Sequence, residues 1–155
     1  MQGLDVRTSG LAGLALGLIV GLWMVVATVA SLQPIFPLVA TALQLVVLVG
    51  ALARMRAEHG FAQQLAAGMI VSVVASVLIF GESLLLTTVL FPDALAAMRA
   101  EVAASMPDAS PAELEAATAM VAPVPQAVMG VVGTLVTGLV LSAIAGAFLR
   151  RDSSS

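Results

Sequence analysis

The chain has 155 residues, of which 61% are hydrophobic and 10% charged, and its mean hydropathy is +1.12; a soluble domain carries about a quarter charged residues, so a water-soluble globule is excluded and an integral membrane protein is expected. It has no cysteine, which excludes disulfides, thiol catalysis and cysteine metal sites. Six basic residues stand against nine acidic ones, and that imbalance is informative only through where the charges fall.

Met1 to Ser9 is short and polar, with Asp5 and Arg7, and leads into an uncharged run from Leu11 to Ala30. A cleaved signal peptide is the competing reading, with Arg7 ending its basic region and Thr28 to Ala30 resembling a cleavage site. The run exceeds the ~7–15 residues of a signal-peptide core, so it is taken as a first membrane span. Gly13, Gly17 and Gly21 recur every fourth residue within it and define a groove for close helix packing. Ser31 to Pro37 is an uncharged turn holding Pro34 and Pro37, and a second span runs from about Ile35 to Ala53, ended by Arg54 and Arg56. Gln44 interrupts its apolar sequence. The connection to Gln64 carries His59, the single histidine; beside one carboxylate, Glu58, it supplies no metal site and reads as a solvated loop residue.

The third span, Leu65 to Phe91, is the longest apolar run, and Glu82 is its one ionisable residue. About 20 apolar residues cross the ~30 Å hydrocarbon layer, so Glu82 falls inside lipid and is expected to face protein or water. Gly68, Ser72 and Ser76 give this span a small-residue face. Phe91-Pro92-Asp93 ends it. Leu95, Met98, Val102 and Met106 then recur at helical spacing, and Ser110-Pro111-Ala112-Glu113 forms a capping box. The spacing predicts a helical hairpin over 93–121, turning at Pro107 and Asp108. Its five acids, Asp93, Glu101, Asp108, Glu113 and Glu115, oppose one Arg99 and read as a solvated face. The last span, Gln126 to Leu149, carries Gly130, Thr134, Gly138, Ser142 and Gly146, all four residues apart. Small residues let backbones approach, and this stripe, including Gly130, Gly138 and Gly146, is predicted to meet the Gly13, Gly17, Gly21 face of the first span.

The predicted architecture is all-α, a single integral membrane domain over residues 1–155 made of a four-transmembrane-helix bundle, with the short helical hairpin between the third and fourth spans. Arg7, Arg54, Arg56, Arg150 and Arg151 collect on one side and only Arg99 on the other, which by the positive-inside rule puts both termini in the cytoplasm and the hairpin outside. Phe36 and Phe91 then fall at the outer boundary, Phe61 and Phe148 at the inner one. The chain lacks Lys, Asn and Tyr and abounds in Ala, Val, Gly and Arg, the signature of a GC-rich genome; a bacterial inner membrane is the expected location.

The order of features resembles the bacterial membrane family catalogued as domain of unknown function 4199. The resemblance rests on the basic end of the second span at Arg54 and Arg56, Gly60-Phe61 before the third, Gly68 seven residues on, Pro92-Asp93 at its outer end, a charged helical insert, and a glycine-rich last span closed by Arg150 and Arg151. It covers roughly Leu11 to Arg151 and implies an integral membrane protein of unestablished activity, with no catalytic residue to transfer.

Gln44, Thr134 and Trp23 lie near the depth of Glu82 on the other spans. No Arg, Lys or His lies inside a span, so a neutral Glu82 donating to Gln44 or Thr134 is the expected intramembrane polar cluster. The sharper alternative is a Glu82 that handles protons or a cation along Ser83, Thr87 and Thr88. Three functions are weighed: a structural or accessory protein acting through helix contacts, a small oligomeric transporter or channel, and an enzyme. The last ranks lowest, because no nucleophile–base pair or clustered His and acid set is visible; no Walker loop, dinucleotide fingerprint or basic nucleic-acid patch occurs either. The expected partners are the lipid bilayer and a homo-oligomer or another membrane protein. No cofactor, metal or nucleic acid is expected.

Overall fold

A computed structural model describes residues 6–55 and 60–149. Among the described residues six α-helices follow one another: α1 (Val6–Val29), α2 (Phe36–Met55), α3 (Phe61–Leu85), α4 (Pro92–Ser105), α5 (Pro111–Ala119) and α6 (Pro123–Leu149). Four of them, α1, α2, α3 with its extension to Leu90, and α6, are long and apolar enough to cross a membrane. The chain is an all-helical, multi-pass membrane protein, and a lipid bilayer is its surroundings. Arg56, Glu58 and His59 of the second connection, and Arg150 and Arg151 of the C-terminal end, lie outside the described residues.

The helix boundaries follow local chemistry. Val6 to Ser9 join α1, which therefore begins before the charge-free run. The end of α1 is a Schellman turn: Leu32 N–H reaches Ala27 O at 2.7 Å, Ser31 N–H reaches Thr28 O at 3.4 Å, and Ser31 takes the left-handed conformation at φ 56°. A 3₁₀ turn over Gln33–Ile35 then hands the chain to α2. Pro92, Pro111 and Pro123 each open a helix, where a missing N–H costs nothing. Ser110 and Glu113 form the capping box read in the sequence: Glu113 N–H donates to Ser110 Oγ at 3.4 Å, and Ser110 N–H donates to Glu113 Oε2 at 2.8 Å.

α3 does not stop at Leu85 but widens into a π-helical turn over Leu86–Leu90. The threonine pair supplies the reason. Thr87 Oγ1 donates to Ser83 O at 2.7 Å and Thr88 Oγ1 to Leu84 O at 2.6 Å. Hydroxyls bonded to carbonyls one turn back compete with the helical ladder, and Phe91 N–H reaches five residues back, to Leu86 O at 2.7 Å.

The bundle is organised around α3, which packs along α1 on one side and α6 on the other, while α2 touches α1, α3 and α6. Leu16, Val20, Leu48, Val71, Ala75 and Ile79 form the main buried cluster, from α1, α2 and α3. Ala51, Leu52, Ala67 and Ala145 form a second one toward the Arg54 end. The expected contact between the first and last helices is not the arrangement adopted: α1 and α6 share no packed interface, and each is applied to α3 instead. A groove of glycines is complementary to a ridge of larger side chains rather than to another groove, and α3 provides that ridge.

Candidate functional site

On the α1 side of α3, Val74, Leu78 and Glu82 stand four residues apart and seat on Gly13, Gly17 and Gly21 in register. A Cβ placed on Gly13 would lie 2.7 Å from both Val71 O and Val74 Cβ, and one on Gly17 2.8 Å from Leu78 Cβ. At the third step a Cβ on Gly21 would overlap the Glu82 carboxyl. Gly21 is therefore the space in which the intramembrane carboxyl sits. Glu82 is half-buried there, and its Oε2 is buried without a hydrogen-bond partner.

On the α6 side the fit is reciprocal. Ser142 of α6 seats on Gly68 of α3, and Ser72 of α3 seats on Gly138 of α6. Gly130 lies 3.4 Å from Ile79 Cγ2 by its absent Cβ, and Gly146 lies 3.2 Å from the Phe61 ring. Gln44 of α2 enters the same seam and donates from Nε2 to Thr134 O at 2.8 Å. Ser72 Oγ donates to Gly68 O at 3.0 Å, and Ser76 Oγ to Val73 O at 2.8 Å.

Of the three residues predicted to cluster, the structure joins Gln44 and Thr134, through the Thr134 carbonyl rather than its hydroxyl. It sets Glu82 on the α1 face of α3, against Gly21. Trp23 is engaged elsewhere, its Nε1 donating to Phe36 O at 3.4 Å, which pins α1 to the start of α2. The reason is angular: Glu82 shares a helix face with Leu78, whereas the α6 seam is formed by Gly68, Ser72 and Ile79. Counting residues along each span carries no information about rotation about the helix axis, and it is rotation that separates Glu82 from Gln44 and Thr134.

Two openings flank this core. A groove of about 370 Å³ between α2 and α6 is floored by Gln44, Ile79 and Ser83, and edged by Thr41, Gly133 and Thr137. A larger cleft of about 650 Å³ lies under α4, at the end where α1 and α3 finish. Its walls are Met24, Phe36, Leu86, Leu95 and Met98, with Thr28, Ser31, Ser83, Thr87, Glu101 and Gln126 among them. Sequence reasoning gave no hint of it, since it arises where five separate elements meet; the Thr87-Thr88 pair that shapes its α3 wall was the one local signal. The hairpin is held over it by Arg99, whose Nε donates to Val121 O at 2.7 Å, and by Gln126, whose Nε2 donates to Met120 O at 3.3 Å. Glu113, in the hairpin, has its carboxyl held below the usual carboxylate range by the hydroxyl and then the N–H of Ser110. Among the described residues no group of three His, Asp or Glu is placed to hold a metal ion.

No curated protein and no solved structure matches the chain. A family model does, over residues 11–151, and it spans all four membrane helices and the hairpin. The chain belongs to the family described as protein of unknown function (DUF4199).

Proposed function

We propose that this is an accessory protein of a bacterial cytoplasmic membrane, acting through helix–helix contacts and not as an enzyme. The observation that carries the reading is the clasp on α3: glycine-seated side chains on one flank and serine–glycine pairs on the other commit the interior to packing. The polar side chains of the spans follow suit, with Gln44, Ser72, Ser76, Thr87 and Thr88 each donating to a main-chain carbonyl. What the bundle offers a second copy or another membrane protein is its outer surface, where Val46 of α2 and Val136 of α6 are 70% and 57% exposed. Both termini lie in the cytoplasm in this reading. Arg7 and Arg54 end their helices on one side and Arg99 sits on the other, in the hairpin.

Photo-crosslinkers at Val46 and Val136 in native membranes test the contact function. A discrete protein adduct from either position is expected; adducts to lipid alone from both would reject it. Alkaline phosphatase fused at Asp108 is expected to be active and at Glu58 silent, and the reverse pattern would invert the orientation.

A second reading is favoured by Glu82, an intramembrane carboxyl whose buried oxygen lacks a partner. In that reading oligomers move protons or a cation by way of Glu82. Proteoliposomes holding a pH dye separate the two: a flux abolished by Glu82→Gln supports transport, and a flux equal to that of empty vesicles in both proteins removes it.

A further inference from the structure

The geometry points to the cleft beneath α4 as a binding site for a protonated long-chain amine, a ligand class independent of the accessory role proposed above. Its volume of about 650 Å³ falls within the ~300–1,000 Å³ of small-molecule sites. It opens where α1 and α3 end, so an amphiphile arrives with its tail already in lipid. The apolar walls, Phe36, Leu86 and Leu95 with the adaptable thioethers of Met24 and Met98, suit an aliphatic chain.

The polar groups fix the sign of the head. Thr28 Oγ1 donates its hydrogen to Met24 O at 2.8 Å, and Thr87 Oγ1 donates to Ser83 O at 2.7 Å. With those hydrogens committed to the backbone, each hydroxyl has only lone pairs to show the cleft. Gln126 donates one amide N–H to Met120 O at 3.3 Å and keeps a carbonyl oxygen able to accept. Glu101 adds a carboxylate and is the one ionisable residue of the lining. Arg99, the single basic residue of the hairpin, is not in that lining, and its Nε is bonded to Val121 O. The hydroxyls of Ser31 and Ser83, also in the lining, can donate as well as accept, so the preference for a cation rests on Glu101, the one charged group above an apolar trough. An ammonium with three N–H donors on an alkyl tail meets the acceptors and the Glu101 carboxylate together, whereas a carboxylate or phosphate head is set against the charge of Glu101.

The test uses the full chain in nanodiscs of zwitterionic phosphatidylcholine, with dodecylamine as probe at neutral pH and dodecanoate as the anion of equal length. Trp23 is the only tryptophan; it precedes the lining residue Met24 and is bonded to the carbonyl of the lining residue Phe36, so it reports on the cleft through these neighbours. Its fluorescence should change saturably with dodecylamine, at concentrations at least tenfold below any response to dodecanoate. Ala97 lines the cleft from α4, and Ala97→Phe, which fills it, should weaken dodecylamine binding tenfold or more. Glu101→Gln keeps the shape and should weaken it about two- to five-fold, the scale of an exposed ion pair. If Ala97→Phe fails to fold, the amine-to-anion ratio and Glu101→Gln still decide. Equal responses to amine and anion, a response that never saturates, or binding unchanged in Glu101→Gln and in folded Ala97→Phe would overturn the assignment.

Discussion

The two flanks of α3 use the same residue spacing to different ends. Toward α1 the small residues are all on one partner: Gly13, Gly17 and Gly21 form a trough, and α3 supplies Val74, Leu78 and Glu82 to fill it. Toward α6 the small residues are shared, with Ser142 on Gly68 and Ser72 on Gly138. The first is a ridge in a groove, and the second is an interlock of near-equal surfaces. A four-residue repeat of small side chains therefore announces that a helix will be approached closely, while the size of the side chains on the other helix decides which one approaches.

The one-sided flank is the more fragile, because α1 has no side chain there to move. Gly13→Leu should give the largest effect. Its Cβ meets the Val71 carbonyl, which is backbone, so a loss of about 2–3 kcal/mol is expected, at the upper end of overpacking costs. Unfolding in mixed micelles measures it. Gly133→Leu, with open space around its Cα, should stay within about 0.5 kcal/mol in the same assay; equal losses at the two positions would deny that α1 is seated in a groove.

Reciprocity on the other flank predicts a smaller, repairable effect. Gly68→Ala collides with the Ser142 side chain and should cost about 1 kcal/mol. Ser142→Gly removes the collision, and the Ser142 hydroxyl it deletes is buried without a partner, so the double variant should regain most of the loss. Failure of the second substitution to rescue the first would separate the two residues. Next comes Gln44→Leu, which removes the Gln44–Thr134 hydrogen bond across the same seam. Such bonds between membrane helices average about 0.6 kcal/mol and reach about 1.7, and the loss should fall in that range.

The smallest effect lies outside both flanks. Glu113 is stabilised in its charged form by Ser110, so its contribution to α5 is present above the unfolded carboxylate pKa and is lost as pH falls through the lower folded value. The protection of the α5 amides, corrected for the intrinsic exchange rate at each pH, should fall on acidification through that range, and Glu113→Gln should flatten that dependence. An unchanged profile in the Gln variant would place the acid sensitivity elsewhere.

Much of the fold was readable before any coordinates. Apolar run lengths and the prolines at 92, 111 and 123 placed the helices within a few residues, because lipid thickness and a missing N–H act locally. The capping box was legible for the same reason. Partner choice was not: Gly13, Gly17 and Gly21 look alike whether α3 or α6 covers them, and the ridge that settles the matter lies some sixty residues downstream, at Val74, Leu78 and Glu82. The candidate site divides likewise. Counting residues put Glu82, Gln44 and Thr134 at one expected depth, yet Glu82 faces Gly21 and Gln44 faces the Thr134 carbonyl, since depth carries no information about azimuth. The cleft under α4 was invisible for a further reason, being built from five non-contiguous elements.

The placement of α3 between α1 and α6 is open to one direct measurement. The chain has no cysteine, so any disulfide must come from introduced pairs. Oxidation in membranes should link Gly17→Cys with Leu78→Cys, and Ser72→Cys with Gly138→Cys, while Gly17→Cys with Gly138→Cys stays reduced. A link between the last pair, with none between the first, would put α1 against α6 and contradict the arrangement.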